Sequence, residues 1–581
     1  MSKPQVTSAL SPQRRAAARR SLEGQVVDVL VIGGGVVGAG AALDAASRGL
    51  SVAIIEAQDW ASGTSSRSSK LVHGGIRYLE QLDFTLVREA LHERGRLLRE
   101  LAPHLVKPVP FLYPLQKRVI ERAYVGAGMT LYDLLSGRDS GVPRHRHLSA
   151  AALRKEMPGL APQRFVGGLS YYDAQVDDAR LVLTLVRTAA ERGALALNRA
   201  SVVRVVPDRT TRSGSAVTIR DEETGDLFVT GARHVVNATG VWTKESDALI
   251  GATSGLTVTM SKGVHFLVRR ELITLDLGLL LRTEKSVLFV IPWGRHWIVG
   301  TTDTPWELDK VHPAATSADV DYILERVNDV LETPLTRDDI VGVYSGLRPL
   351  VAGSASSTTK LSREHVVGIP RPGVAVIAGG KLTTYRVMAE DVVDSVLRST
   401  GTKAPASTTA DLPLLGAKGY AAAASETRDA LRSRGIDVRL AGRLVDRYGS
   451  LAPEVVGLVD TDAGLPHVLP STTDVLAAEV AYAVLNEDAR HIEDVLVRRT
   501  RLAIELPDGG LEASRAVAET MAGLLGWTDD QRAAEISQYR TLVELGREAS
   551  ALPYDEAADD VLRTAPSATP NALRAGLAHL S

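Results

Sequence analysis

The sequence predicts an α/β fold in which a discontinuous parallel-sheet domain is interleaved with an antiparallel sheet and followed by an all-α C-terminal domain. Three observations predict it. A strand–turn–helix–strand unit stands near the N-terminus, two more apolar strands ending on small residues recur far downstream, and the chain beyond about residue 410 carries three-to-four-residue apolar spacing.

The first unit runs VVDVLVIGGG, VVGAGAALDAASRG, LSVAIIE over Val26 to Glu56. Parallel strands need such a helical crossover. Within it Gly33, Gly35 and Gly38 form G-x-G-x-x-G directly after the strand and before the helix, and Glu56 closes the second strand. Gly33 serves the tight turn, Gly35 lets a pyrophosphate approach the backbone, and Gly38 lets helix pack on strand. The helix N-terminus faces the phosphates and Glu56 is placed for ribose hydroxyls, so the unit is a Rossmann-like dinucleotide site. No second strand-linked copy of the motif occurs, so one dinucleotide is expected.

The later strands are ARHVVNATGV (232–241), with Gly240 at its end, and VAVIAGGKLTTYRVM (374–388), which passes through Gly379 and Gly380 into a helix. Small residues at strand ends let a ligand approach the carboxyl edge of a parallel sheet. Between them, SVLFVIPWG and HWIVGTTD read as two antiparallel strands around a Gly-Arg turn. STGTKAPASTT (399–409) reads as a linker, and the stretches 421–434, 492–504 and 515–525 as helices of the C-terminal domain. The expected division is a basic arm at 1–25, a cofactor domain from 26–110, 172–255 and 340–400, a substrate-binding cap from 111–171 and 256–339, and helices over 410–581.

Composition bounds the chemistry. The 67 Lys and Arg nearly balance 69 Asp and Glu, so no overall field favours nucleic acid. Cysteine is absent, which excludes disulfides, thiolate metal sites, iron–sulfur clusters and a redox-active Cys pair; no metal site is expected. Secretion signals and membrane-spanning runs are not evident. The arm bearing Arg14, Arg15, Arg19 and Arg20 reads as a solvated tail with only a faint suggestion of anionic lipid. Arg498, Arg499 and Arg501 are assigned a structural or interdomain role.

The strings GGGVVGAGAALDAASRG, TSSRSSKLVHGGIRYLE, SKGVHF, IVGTTDT, SGLRPL, GGKLTTYR and EDVLVRRTRLA occur in this order between Val27 and Leu502. In them the chain resembles the FAD-dependent glycerol-3-phosphate dehydrogenases, relatives of the D-amino-acid oxidase group. The resemblance implies oxidation of sn-glycerol 3-phosphate to dihydroxyacetone phosphate, with FAD as cofactor and a membrane quinone as final acceptor. It also implies peripheral attachment at the cytoplasmic face of the membrane and allows a homodimer. FAD would be held by Gly33, Gly35, Gly38, Glu56, Thr64, Ser65, Ser69, Lys70, Leu71, His73, Gly240, Gly380, Lys381, Leu382 and Thr383.

The reaction needs an anion clamp and a base beside the flavin. Clamp candidates are Arg77, Arg348, Arg363 and Lys381, since a guanidinium fork suits two phosphate oxygens. His265 is the favoured base, Lys381 its rival, and Tyr78 a candidate donor to substrate oxygens. The helix after Gly380 is expected to aim its N-terminus at the flavin. The rival readings are an oxidase using O2, an amino-acid oxidase of the wider group, and a catalytically silent flavin-binding scaffold.

Overall fold

The computed structural model describes residues 7–79, 82–117, 119–137, 140–208, 214–284, 287–351 and 365–565, apart from the side chain of Arg77. Strand Val26–Ile32, helix Val36–Ser47 and strand Val52–Ile55 form the crossover unit expected from the sequence. Around them an eight-stranded sheet is ordered His365–Arg371, Val374–Gly379, Leu227–Asn237, Val26–Ile32, Val52–Ile55, Leu195–Leu197, with the pair Ala200–Pro207 and Ser215–Asp221 attached through Leu227–Asn237. Its central pairings are parallel. Three strands widely separated in sequence thus end side by side, which places Gly33, Ala238 and Gly379 along one edge.

A second, ten-stranded sheet contains the antiparallel pair Val287–Trp293 and His296–Gly300 predicted from the sequence. Its long strand Val258–Arg269 is buried on both faces, Phe266 and Val268 entering one core and Leu267 the other. This is the period of two expected of a pleated strand.

The expected domain boundaries need correction here. Strand Ile340–Val351, assigned to the cofactor domain, pairs along Val258–Arg269 in the second sheet, with Arg348 opposite Ser261. Leu71–Val72 and residues 107–110 of Lys107–Leu115 belong to that sheet too, and Gly167–Gln175 runs through the boundary placed at 172. Strand pairing joins residues remote in sequence, so an element's own residues do not say which sheet receives it.

The N-terminal arm is also not a solvated tail. Helix Pro12–Leu22 is capped by Ser11, whose Oγ accepts the Arg14 N–H at 3.2 Å. It docks through buried Ala18 and Leu22. Arg15 is only 7% exposed; both ends of its fork reach Asp221 at 3.0 Å, and it donates to the carbonyls of Asn198 and Arg199. Polar backbone at a strand edge gives that cation a reason to be buried.

Beyond the linker, helices Tyr420–Ser433, Leu440–Tyr448, Ala477–Glu487, Leu511–Leu525 and Asp529–Ala551 surround one apolar core. The helix expected over 492–504 is broken. Asp494–Arg499 is a wide π-type turn, Arg501 adopts a left-handed φ of 71°, and Leu502–Glu505 resumes as a short helix. The break turns three arginines inward. Arg498 reaches Asp59 at 2.5 Å and Asp494 at 2.6 Å, Arg499 also pairs with Asp59, and Arg501 pairs with Asp177 at 2.6 Å and with Asp178. All three are buried, and these pairs tie the helical domain to the α/β body.

Candidate active site

The larger cavity, about 550 Å³, lies at the shared edge of the parallel strands. Gly33, with φ 107°, lies so close to the neighbouring strand that a Cβ on it would sit 2.7 Å from the Ala238 carbonyl oxygen. A Cβ on Gly38 would come within 1.9 Å of the Gly33 oxygen, so the helix lies against the turn as the fingerprint requires. Gly38 does this packing and does not line the cavity.

Glu56 lines the cavity, and its carboxylate accepts the N–H of Gly34 at 2.6 Å and of Gln58 at 2.7 Å. Burial raises its pKa, against the pull of those two amides. Carboxylate oxygens have further lone pairs, so the ribose role remains open to it alongside the turn-holding role seen here.

Thr64, Ser65, Gly240, Gly380, Lys381 and Leu382 complete the predicted lining. The Ser65 hydroxyl accepts the Val36 N–H at 3.0 Å and Thr64 donates to the Leu347 carbonyl at 2.7 Å, so this loop is fastened to the start of helix Val36–Ser47 and to the second sheet. A cavity lined by bare glycine backbone, a helix N-terminus and a carboxylate fits FAD.

A second cavity of about 180 Å³ shares Val36, Thr64, Ser65, Lys381 and Leu382 with the first and so adjoins it. His265, Arg348, Ser69 and Thr383 line it. His265 stands on Val258–Arg269 between Gly300 and Tyr344, and its ring stacks on Tyr344 with centroids 4.9 Å apart and planes 7° from parallel. Its Nε2 lies 2.8 Å from the Ser69 hydroxyl, while Nδ1 is sealed without a hydrogen-bond partner among the described residues. Burial, then the charges of Arg348 and Lys70, push its pKa well below the ordinary histidine value, so the ring is neutral at pH 7.

Arg348 is steered by several oxygens. Nη2 donates to Thr301 Oγ1 at 2.9 Å and to the Thr302 carbonyl at 3.2 Å, Nη1 reaches Ser261 Oγ at 3.3 Å, and Asp303 lies 3.6 Å away. Lys381 holds its Nζ 3.7 Å from the centre of the Tyr78 ring. Thr383 Oγ1 accepts the His73 N–H at 3.0 Å and can return a bond to its carbonyl at 3.1 Å, joining the Gly380–Thr383 turn to the Leu71–His73 stretch.

Other predicted residues fall elsewhere. Ser69, Leu71, His73 and Thr383, expected around the cofactor, line the smaller cavity only. Lys70 is a correction: it lines neither cavity, its left-handed backbone turning the side chain into the interior, where Nζ pairs with Asp178 at 2.9 Å and donates to the Ser66 carbonyl. A buried ammonium requires such a carboxylate. Arg77 sits in the turn Ile76–Leu79, its side chain outside the described residues, and Arg363 also lies outside them. Tyr78 is buried and receives Lys381 on its ring.

Sequence reasoning missed Arg67, which lines the smaller cavity, and Tyr344, Asp303 and Thr301, which position His265 and Arg348. Asp303 and Thr301 lay within a string already noticed, IVGTTDT. Tyr344 carried no local signal, because its role comes from pairing across the sheet.

Residues 28–386 match the family model described as FAD dependent oxidoreductase, and residues 407–532 match the C-terminal domain of alpha-glycerophosphate oxidase. The chain is 50% identical over 561 residues to glycerol-3-phosphate dehydrogenase 2 of Mycobacterium tuberculosis, covering 97% of this chain and 95% of that protein. It is 36% identical over 549 residues to the mitochondrial glycerol-3-phosphate dehydrogenase of Homo sapiens, covering 91% of this chain and 75% of that one. Among solved structures, glycerol-3-phosphate dehydrogenase from Bacillus halodurans complexed with FAD superposes with a TM-score of 0.74 at 28% identity, covering 92% of this chain and 98% of that chain.

Proposed function

This chain belongs to the FAD-dependent oxidoreductase family, and on that footing we propose that it oxidises sn-glycerol 3-phosphate to dihydroxyacetone phosphate. The observation carrying the proposal is the convergence of Arg348, His265 and Lys381 on a small cavity that adjoins the dinucleotide cavity. Bound in the larger cavity, FAD supplies the acceptor for the hydride leaving C2 of the substrate.

The chain's own residues do the rest. Arg348, held by Thr301, Thr302 and Asp303, receives the phosphate, with Arg67 and Lys381 adding positive charge. His265 accepts the C2 hydroxyl proton on Nε2, because its other nitrogen is sealed. The depressed pKa keeps the ring neutral, so one of its nitrogens is without a proton, and Nε2 is the base in the tautomer that carries its proton on Nδ1. Lys381 is the alternative proton acceptor. The turn Gly380–Thr383 leads into helix Tyr385–Thr400, whose N-terminus favours negative charge on the bound cofactor.

A quinone is the proposed acceptor, reached from the membrane surface. Among the described residues no helix is long and apolar enough to cross a membrane, so attachment would be peripheral. Support comes from helix Ile120–Ser136, whose outer face exposes Ile120 (80%), Tyr124 and Leu134 (71%), with Leu82 (72%) and Phe84 also exposed on the segment that follows Tyr78. Exposed apolar groups on such a scale mark an interaction surface. That helix packs against Ile76–Leu79, the turn whose Tyr78 contacts Lys381. The helix bearing this surface thus packs on a turn that touches a residue lining the site. The proposed location is the cytoplasmic face of the membrane, as the family resemblance implies.

The test is anaerobic bleaching of bound flavin. Glycerol 3-phosphate should bleach it within one mixing time, while glycerol and amino acids should not; re-oxidation should be fast with a short-chain quinone and slow with O2. A flavin left oxidised by every phosphorylated polyol would refute the reading in favour of a silent scaffold, and rapid peroxide formation would move it to the oxidase branch.

A further inference from the structure

We propose that Arg501, a residue of the helical domain, is a positioning residue for the oxidation: it sets the Ser66–Lys70 segment and, through the Ser69 hydroxyl, the environment of His265 Nε2. The inference rests on the reading of His265 as proton acceptor.

Residues 67–70 form neither helix nor strand, so side chains must place them. Ser68 donates both its N–H (3.0 Å) and its Oγ–H (2.7 Å) to one Asp178 oxygen, and Lys70 donates Nζ to the other. From the opposite side the Tyr344 hydroxyl donates to the Ser68 carbonyl at 3.0 Å. Ser69 lies between these fixed neighbours and presents its hydroxyl to His265.

Arg501 holds this arrangement at two points. One guanidinium nitrogen bonds Asp178, the shared anchor of Ser68 and Lys70, and the other donates to the Ser66 carbonyl at 3.1 Å. Its Nε and Nη2 both engage Asp177, which Arg447 holds in turn. A planar fork spreads its five donors in fixed directions over two carboxylates and a carbonyl, whereas an ammonium gathers three donors on a single atom and cannot reproduce that spacing. Arg501 also keeps a left-handed φ, a backbone state that costs a non-glycine residue energy and persists only where surrounding contacts impose it.

The same bend supplies its own control. Arg499 is buried as deeply and ties the same two domains through Asp59, with a further bond to the Glu487 carbonyl of its own domain, yet no bond of its side chain reaches residues 66–70. If these arginines only fastened the domains, they would be interchangeable. If Arg501 positions the Ser69 hydroxyl, only its loss should slow turnover.

The experiment uses full-length, FAD-loaded protein as wild type, Arg501→Lys, Arg499→Lys, Ser69→Ala and the Arg501→Lys/Ser69→Ala double variant, with His265→Asn alongside. Arg501→Lys keeps the charge and so the fold; its kcat should fall about tenfold, the order of one lost charge-assisted hydrogen bond, with KM and flavin content little changed. Arg499→Lys should lower the melting temperature and leave kcat alone. In the Ser69→Ala background Arg501→Lys should cost less than about twofold, because residues acting through one contact are not additive. Wild-type kcat in Arg501→Lys, an equal loss in Arg499→Lys, or full additivity in the double variant would overturn the inference. Should His265→Asn keep wild-type kcat, the proton-acceptor reading fails instead, and the two failures are told apart by that variant.

Discussion

Replacing Arg348 by alanine tests the anion clamp most directly. The guanidinium is held by Thr301 Oγ1 at 2.9 Å and by the Thr302 carbonyl, with Asp303 3.6 Å away and almost fully buried. Its removal has two consequences. The phosphate loses a charge-assisted hydrogen bond worth about 1.5–3 kcal/mol, or roughly 10- to 100-fold in kcat/KM. In addition, the Asp303 carboxylate stays beside the anion with its positive neighbour gone and repels it, so the loss should fall in the upper half of that range. Glycerol has no phosphate and should lose little, so the preference for glycerol 3-phosphate over glycerol should shrink by the same factor. Arg348→Lys restores charge near Asp303 but cannot offer the fork, and should recover only part of the loss. Steady-state dye reduction with both substrates, at matched flavin content, measures all of these. An unchanged preference in Arg348→Ala with flavin fully bound would remove Arg348 from the site.

The remaining expectations concern the cofactor turn, proton transfer and domain docking. Gly38→Ala would drive a methyl group to 1.9 Å from the Gly33 carbonyl oxygen, an overlap only backbone movement can relieve; it should yield apoprotein, whereas Gly442→Ala, with nothing within 4 Å, should keep its flavin and gain up to ~1 kcal/mol of helix stability, as flavin absorbance and melting curves will report. Because burial, Arg348 and Lys70 all hold the His265 pKa well below 6.5, the acid limb of kcat/KM, corrected for the substrate phosphate's own ionisation, should lie well below pH 6.5, and Arg348→Ala should move it upward by removing a positive neighbour. His491 bridges Glu535 at 2.7 Å and Glu223 at 3.3 Å across the two domains. Burial and Arg199 oppose its charge, but the two carboxylates prevail and its pKa is pushed up to about 9. A raised pKa contributes stability fully below the unfolded value near 6.5 and loses it as pH rises through about 9; the melting temperature of wild type should therefore fall more between pH 7 and pH 10 than that of His491→Gln.

Much of this molecule was legible in the chain because the relevant physics is local. G-x-G-x-x-G needs only a turn too tight for side chains, and Gly33 and Gly38 meet that demand within a few residues of each other. The apolar runs Val287–Trp293 and His296–Gly300 on either side of a Gly-Arg turn, and the apolar spacing of Leu511–Leu525, likewise follow from local geometry. Arg348, His265 and Lys381 were found through the strings that carry them, and they do meet at one cavity.

What the tertiary structure alone decided are the pairings between distant segments. Ile340–Val351 joins the second sheet by its register with Val258–Arg269, Lys70 turns away from the cofactor because Asp178 waits inside, and Arg15 docks on Asp221 instead of trailing in water. Arg501 illustrates the rule most plainly. Its sequence neighbourhood reads as a helix, yet the helix breaks there so that a guanidinium can satisfy Asp177, Asp178 and the Ser66 carbonyl, groups more than three hundred residues away in the chain. Helical propensity differs between residues by less than about 1 kcal/mol, whereas a buried carboxylate left unpaired costs several, so the long-range partner prevails over the local preference.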